Sequence, residues 1–320
     1  MNKHDITVLG GNFAGIQAAR TLRKRLPRAA IRVIDKAGVS TMVPALPDVL
    51  SGRIPPDALT RPITDVLGPD VDVVVDEAVA VDPERRRVEG RSGSYAFDGL
   101  VIATGSVPVD PPESLGNATV YTVHSAEAAR ALREAVVNNG AAGSSNGRLR
   151  LVVIGAGYTG LETAYAARLG AGGAIDIIVV DTASEVLPML TPPERDRVTR
   201  LLEDSRIDLR IGTALTSAHR AATADLSTVE LSDGSTIENA LLLWSAGMKA
   251  SPVGLAGAFE TTGDGRLATT EHLELASAPG VFVAGDAAAL NRSGTVVRRA
   301  VNFAYYSGRA AAANLAARLT

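Results

Sequence analysis

Along the first forty residues, short runs of β-branched and aliphatic side chains alternate with a longer stretch whose apolar residues recur with helical period. DITVLG (5–10) reads as a strand, Phe13 to about Leu26 as a helix, and IRVID (31–35) as a second strand. The same order returns at LRLVVIG (149–155), at a helix from about Tyr158 to Leu169, and at IDIIVVD (175–181). Each set is a βαβ unit. Gly10 and Gly155 open the two strand-to-helix turns 145 residues apart, and Asp35 and Asp181 end the second strands. FDGLVIATG ends at Gly105 and ENALLLWSAG at Gly247, 142 residues later. Four landmarks in one order with nearly equal offsets mark an internal repeat.

The pattern predicts further elements around this frame. The Val-rich stretch 71–82 and ELSDGSTI (230–237) read as hairpin material after each unit. TPPE (191–194) reads as a helix start, with Thr191 as N-cap and Glu194 three residues on. NNGAAGSSNG (138–147) reads as a polar surface loop, and VFVAG (281–285) with a helix from about Arg298 to Leu319 closes the fold. The expected class is α/β, with two Rossmann-like dinucleotide-binding domains and no C-terminal dimerisation or membrane domain. Residues 1–115 and 275–320 form a discontinuous first domain in this reading, and 116–274 the second.

Composition narrows the chemistry. A chain of 320 residues can bury about three quarters of its unfolded surface. A net charge of −3 supplies no general attraction for nucleic acid or an anionic membrane surface. The absence of cysteine excludes disulfides, thiolate metal sites and redox dithiols. No apolar run reaches the length of a membrane span or a signal-peptide core, so a cytoplasmic protein is expected. The four histidines, His4, His124, His219 and His272, fit no metal spacing, and no metal site is expected.

The turns carry the functional signal. In Gly155-Ala156-Gly157-Tyr158-Thr159-Gly160 the first glycine permits a tight turn, the second lets backbone approach a pyrophosphate, and the third lets helix pack on strand. The helix N-terminus then meets the anion with free N–H groups. Asp181 stands where a ribose 2′-OH is bound, and no Lys or Arg follows it in DTASEV, which favours NADH over NADPH. The first turn, Gly10-Gly11-Asn12-Phe13-Ala14-Gly15, keeps its outer glycines and Asp35 but has Asn12 at the middle position. Asn tolerates left-handed backbone and its amide can donate to a phosphate, so a working site is expected.

VLGGNFAG, VIDK, FDGLVIATGS, VVIGAGYTGLETA, VVDTASEVLP, LLLWSAGMKASP and PGVFVAGDAA together resemble the pyridine-nucleotide–disulfide oxidoreductase superfamily, which binds FAD in its first half and NAD(P)H in its second. Within it, GGxFAG, the Pro44-containing STMVPALPDVLSGR and Glu162 resemble the type II NADH dehydrogenases, the sulfide:quinone reductases and the apoptosis-inducing-factor-like NAD(P)H:quinone reductases. The lack of cysteine sets the chain apart from the sulfide and disulfide reductases. The resemblance implies a glutathione-reductase-like fold. It adds Lys36, Pro44, Val79, Ala103, Thr104 and Gly105 to the FAD site, and Ala246 and Gly247 to the NADH site. It also implies that Gly285 and Asp286 meet the ribityl–phosphate region, and that Arg298, Arg299 and Ala300 bring a helix N-terminus to the flavin pyrimidine edge. Glu162 is implied near the nicotinamide, and Tyr306, one turn beyond Asn302, is a candidate to face flavin or substrate.

The expected activity is transfer of hydride from NADH to FAD and then of electrons to a quinone-like small molecule or to oxygen. Two alternatives stand beside it: a sensor or scaffold that holds FAD and NADH with little turnover, and a reductase of a small electron-carrier protein for which Arg298, Arg299 and Arg309 are the only basic hint.

Overall fold

Both βαβ units form in the computed structural model, which describes residues 4–141, 148–221, 226–251, 253–257, 259–292 and 294–320. The first consists of strand Asp5–Leu9, helix Phe13–Arg25 and strand Ala30–Asp35; the second of strand Arg150–Ile154, helix Tyr158–Ala171 and strand Asp176–Asp181. The chain divides into two compact units, one of Met1–Thr41, Thr60–Val107 and Met248–Thr320, the other of Met42–Leu59 and Pro108–Gly247.

The first unit is built on a five-stranded parallel sheet in the order Val281–Val283, Gly99–Ile102, Asp5–Leu9, Ala30–Asp35, Asp72–Val75. Every residue of Gly99–Ile102 and four of the five in Asp5–Leu9 are buried. Continuous apolar runs are what a parallel sheet covered on both faces requires. The stretch 71–82 is therefore not one hairpin. Asp72–Val75 is the edge strand of this sheet, and Ala78–Asp82 opens a separate antiparallel meander with Arg87–Gly90 and Ser94–Ala96. Asp76 makes the break. Its buried carboxylate accepts from the Tyr95 hydroxyl at 2.7 Å and from the amides of Glu77 and Ser92, which satisfies the polar groups of the kink.

In the second unit the parallel strands Ile207–Ile211, Asp176–Asp181, Arg150–Ile154 and Thr236–Trp244 continue into antiparallel Ser227–Leu231 and Leu215–Arg220. ELSDGSTI forms the expected hairpin, with Glu230 opposite Thr236. Helix Pro192–Asp204 starts at Thr191, whose amide and hydroxyl both donate to the Glu194 carboxylate at 2.9 and 2.6 Å. Helix Ala126–Ala141 runs four residues into the stretch read as a loop, because Ala129, Leu132, Ala135 and Val136 bury one face and Asn139 donates its side-chain amide to the Ala135 carbonyl. Residues 142–147 of that stretch lie outside the described residues.

The unit boundaries differ from the sequence expectation in three places, one of which is 108–115, expected in the first domain but part of the second unit, where Trp244 Nε1 donates to Val109 O at 2.8 Å. Residues 248–274, expected in the second domain, belong to the first unit: Ser251 N donates to Gly105 O, and Gly254–Leu255 pairs with Ala80 and Val81 of the meander. Residues 42–59, expected in the first domain, belong to the second unit, where Pro47–Ser51 packs on helix Tyr158–Ala171. These exchanges follow from contacts distant in sequence, which local pattern does not encode.

The closing helix, Val301–Leu319, lies against the first helix at their small residues. Any Cβ at Gly308 would overlap the Ala14 backbone. Gly308→Ala is therefore expected to lower stability by about 1–3 kcal/mol through overpacking, despite the higher helix propensity of Ala. Gly173→Ala, which meets no atom within 4 Å, is expected to leave stability nearly unchanged. Urea unfolding of the two variants checks the difference.

Candidate functional site

The two glycine turns are built alike, atom by atom. Gly10 and Gly155 have φ of +94° and +111°, and a Cβ on either would overlap a carbonyl oxygen at the end of the neighbouring strand, Ala103 in one case and Ser245 in the other. A Cβ at Gly15 or Gly160 would overlap the Gly10 or Gly155 carbonyl. The outer glycines are thus demanded by sterics.

The middle position carries no such demand. Gly157 is extended, with φ −75° and ψ 175°, and a Cβ there meets nothing within 4 Å. Asn12 is extended as well, φ −112° and ψ −155°, so the left-handed tolerance expected of it is not used. Its Oδ1 accepts from Ser40 Oγ at 3.0 Å, which leaves the amide nitrogen as the outward donor. The first turn keeps its form with Asn12 in place.

An aspartate pins each turn. Asp35 Oδ2 accepts from Gly11 N at 2.8 Å while Oδ1 accepts from Ala37 N and Gly38 N. Asp181 Oδ2 accepts from Ala156 N at 2.6 Å while Oδ1 accepts from Ala183 N. Neither helix that follows, Phe13–Arg25 or Tyr158–Ala171, has a side-chain cap or an acidic residue in its first turn. Helix Pro192–Asp204, by contrast, is capped by its own Thr191 and Glu194. The N–H groups at Phe13, Ala14 and Gly15, and at Tyr158, Thr159 and Gly160, are left for an outside anion. An open face at Gly157, uncapped donors and a turn-bound aspartate fit a dinucleotide pyrophosphate and ribose in each unit.

The first unit gathers more around its turn. Gly285 N donates to the buried Ser307 Oγ at 2.9 Å, and Ser307 sits beside Gly308 on the closing helix. Asp286 accepts from Ser106 Oγ at 2.7 Å. Burial pushes the Asp286 carboxyl up, against the opposing pull of Ser106, Arg299 and Arg266. The Thr104 hydroxyl is buried without a hydrogen-bond partner. Ala300 is the extended N-cap residue of the closing helix, which starts at Val301 rather than Arg298.

Arg298 is exposed, whereas Arg299 is only 19 % exposed and pairs with Asp264 Oδ2 at 2.9 Å. Its Nε and one terminal nitrogen are buried and unpartnered among the described residues. Burial opposes the Asp264 charge, but hydrogen bonds from Thr262 and Arg266 and the charges of both arginines hold its carboxyl well below the usual carboxylate range. The donor set suits the anionic, carbonyl-rich edge of a flavin.

Other candidates stand apart. Lys36 and Val79 are exposed, Val79 on the meander. Tyr306 is 65 % exposed and meets Tyr305 edge-on at 5.5 Å; its side chain lies on the outer face of the closing helix with Asn302. Pro44 belongs to the second unit, with exposed Met42 and Val43 beside it. Ala246 and Gly247 follow Ser245 at the strand end against Gly155. Glu162, on the outer face of its helix, has its carboxyl raised by partial desolvation and by the negative charge of Asp48. Sequence reasoning missed Ser40, Ser307, Asp264 and Arg266 altogether. Among the described residues no group of three or more His, Asp or Glu could hold a metal ion, and no helix is long and apolar enough to cross a membrane.

Comparison with known proteins agrees with this geometry. An NADH dehydrogenase-like protein of Mycobacterium tuberculosis is 29% identical over 298 residues, covering 89% of this chain and 72% of its own length. A type II NADH:quinone oxidoreductase of Staphylococcus aureus is 25% identical over 314 residues, covering 92% and 76%. Among solved structures, the water-forming NADH oxidase from Lactobacillus brevis bound to NADH superposes with a TM-score of 0.79 at 21% identity, covering 98% of this chain and 69% of the other. The family described as pyridine nucleotide-disulphide oxidoreductase matches residues 4–310. With two pinned glycine turns and a match over nearly its whole length, the chain belongs to the pyridine nucleotide-disulphide oxidoreductase family, the FAD-dependent NAD(P)H oxidoreductases.

Proposed function

We propose that the first unit holds FAD, that the second holds NADH, and that the protein passes reducing equivalents from NADH to a quinone-like small molecule. The observation that carries the two-nucleotide reading is the matched pair of aspartate-pinned, uncapped turns, Gly11 N to Asp35 and Ala156 N to Asp181. When bound, FAD supplies the two-electron chemistry between nicotinamide and acceptor. The chain's own groups bind and orient. The turn amides take the pyrophosphates, and Asp35 and Asp181 keep lone pairs for ribose hydroxyls. The free edge of Arg299 and the N-terminus at Ala300 favour negative charge on the flavin pyrimidine side.

The acceptor reading draws support from the quinone oxidoreductase among the relatives, and from the aromatic pair Tyr305–Tyr306 on the outer face of the closing helix. Such rings stack on a planar acceptor. The carrier-protein alternative loses one of its three cations, since Arg299 is committed to Asp264. Steady-state assays of the FAD-loaded protein test the reading. NADH oxidation by a short-chain quinone without detergent or lipid is expected, with at least a tenfold loss in Tyr306→Ala and no change in flavin reduction. Rapid reoxidation by oxygen or a carrier protein alone, with no quinone turnover, would refute it.

Asp181 faces a carboxylate toward the ribose position and is followed by no cation in DTASEV. Anaerobic flavin reduction is expected to be at least tenfold more efficient with NADH than with NADPH. Asp181→Arg also removes the bond to Ala156 N, so both nucleotides should bind more weakly; the NADH-to-NADPH ratio isolates specificity and should fall to unity or below. A wild-type ratio of one would remove Asp181 from the ribose site.

Glu162 gives a pH test. Because its carboxyl is raised, it gives up its proton at a higher pH than an ordinary glutamate and gains negative charge as pH rises through that titration. An anion beside the dinucleotide repels it, so NADH affinity is expected to fall with rising pH over that interval. Glu162→Gln should flatten the profile at the higher affinity, as read by NADH titration of the oxidised protein. An unchanged profile would place Glu162 away from the nucleotide.

A further inference from the structure

The second unit has a cavity that neither glycine turn uses. It measures about 250 Å³ and lies among Leu50–Gly52, the last turns of helices Ala126–Ala141 and Tyr158–Ala171, and Ala174–Ile175. Its position is the far end of helix Tyr158–Ala171 from Gly157, about 20 Å along the axis at 1.5 Å per residue. Any nucleotide at the turn leaves it untouched.

The lining is mostly apolar, with Ser51 and one cation as its polar side chains. Leu50, Val136, Val137 and Ile175 supply hydrocarbon, and Val137 is 53% exposed at the rim. Arg133 is half-buried among them and makes no hydrogen bond or ion pair among the described residues. Its guanidinium lies across Gly52, where an added Cβ would come within 3.1 Å of a terminal nitrogen. Nothing in the lining offers it a carboxylate. At the end of helix Tyr158–Ala171, Gly172 N donates to Arg168 O and Ala174 N to Ala171 O; just beyond it, Arg168 donates to Gly172 O and Ile175 O, and Arg148 to Gly173 O, so two further cations stand near the backbone carbonyls there.

An unpaired guanidinium over an apolar recess selects a ligand with a carboxylate head and a hydrocarbon body, since the fork of Arg matches a carboxylate in two bonds. The volume exceeds the ~150 Å³ that accepts benzene, which suits a chain of about six to ten carbons or a single substituted ring. We propose that this cavity is a binding site for a small amphipathic carboxylate, held by Arg133 and distinct from both dinucleotide sites.

The test uses the FAD-loaded full chain and sodium octanoate, with octan-1-ol as the uncharged probe, read by ligand-observed NMR and calorimetry. Octanoate is expected to bind saturably, at least tenfold tighter than octanol, and to be undisturbed by saturating NADH. Arg133→Gln should weaken octanoate at least tenfold and leave octanol unchanged, while Arg133→Lys should keep part of the preference. Ala174→Phe, at the exposed rim, should block both probes, and its unchanged NADH titration would show the fold intact. Equal affinity for octanoate and octanol, displacement of octanoate by NADH, or full octanoate binding in Arg133→Gln would overturn the proposal.

Discussion

The bond from a turn amide to the aspartate at the end of the next strand is the constraint on which both halves of the protein rest. A strand, a reversal and a helix can meet in many ways. A carboxylate that accepts from Gly11 N while also closing the turn at Ala37 and Gly38 reduces these to one, and Asp181 does the same at Ala156 and Ala183. Charge-assisted bonds of this kind are about twice as strong as neutral ones. They orient the helix that follows, and with it the row of N–H groups that would meet a phosphate.

The helix starts differ in how their first N–H groups are met. At helix Pro192–Asp204 the chain supplies its own capping box, through Thr191 and Glu194. At the two turns it leaves the positive end bare, with no acid in the first turn. Asn12 fits this account. The middle residue is extended in both copies, so a side chain costs no backbone strain there, and the Asn12 oxygen is occupied by the Ser40 hydroxyl. In the first unit the closing helix completes the frame. Gly308 brings it onto Ala14, Ser307 caps Gly285, and Arg299 is held at its start by Asp264.

Much of the site was legible because its determinants are local. Gly10, Gly15 and Asp35 lie within one βαβ unit, and their spacing, repeated at Gly155, Gly160 and Asp181, reports a geometry that sterics enforce. The hairpin at 230–237 and the capped helix at Thr191 were equally readable, since each is closed by residues a few positions apart. The stretch 71–82 misled because its apolar period is the same in an edge strand and in a hairpin; only Asp76, bonded to Tyr95 across 19 positions, separates the two.

The sequence by itself therefore determined the repeat, the parallel α/β class, the two turns and the absence of thiol chemistry, because each depends on neighbours along the chain or on composition alone. Tertiary structure decided the rest. The partners of Asn12, Asp286 and Gly285 stand 28, 180 and 22 residues away, and they meet only when the sheet and the closing helix assemble. The same holds for the transfer of residues 42–59 to the second unit, for the commitment of Arg299 to Asp264, and for Arg133 over its apolar recess. A side chain's charge is written in the sequence, but whether that charge is paired or left free depends on what the folded backbone brings within hydrogen-bond reach.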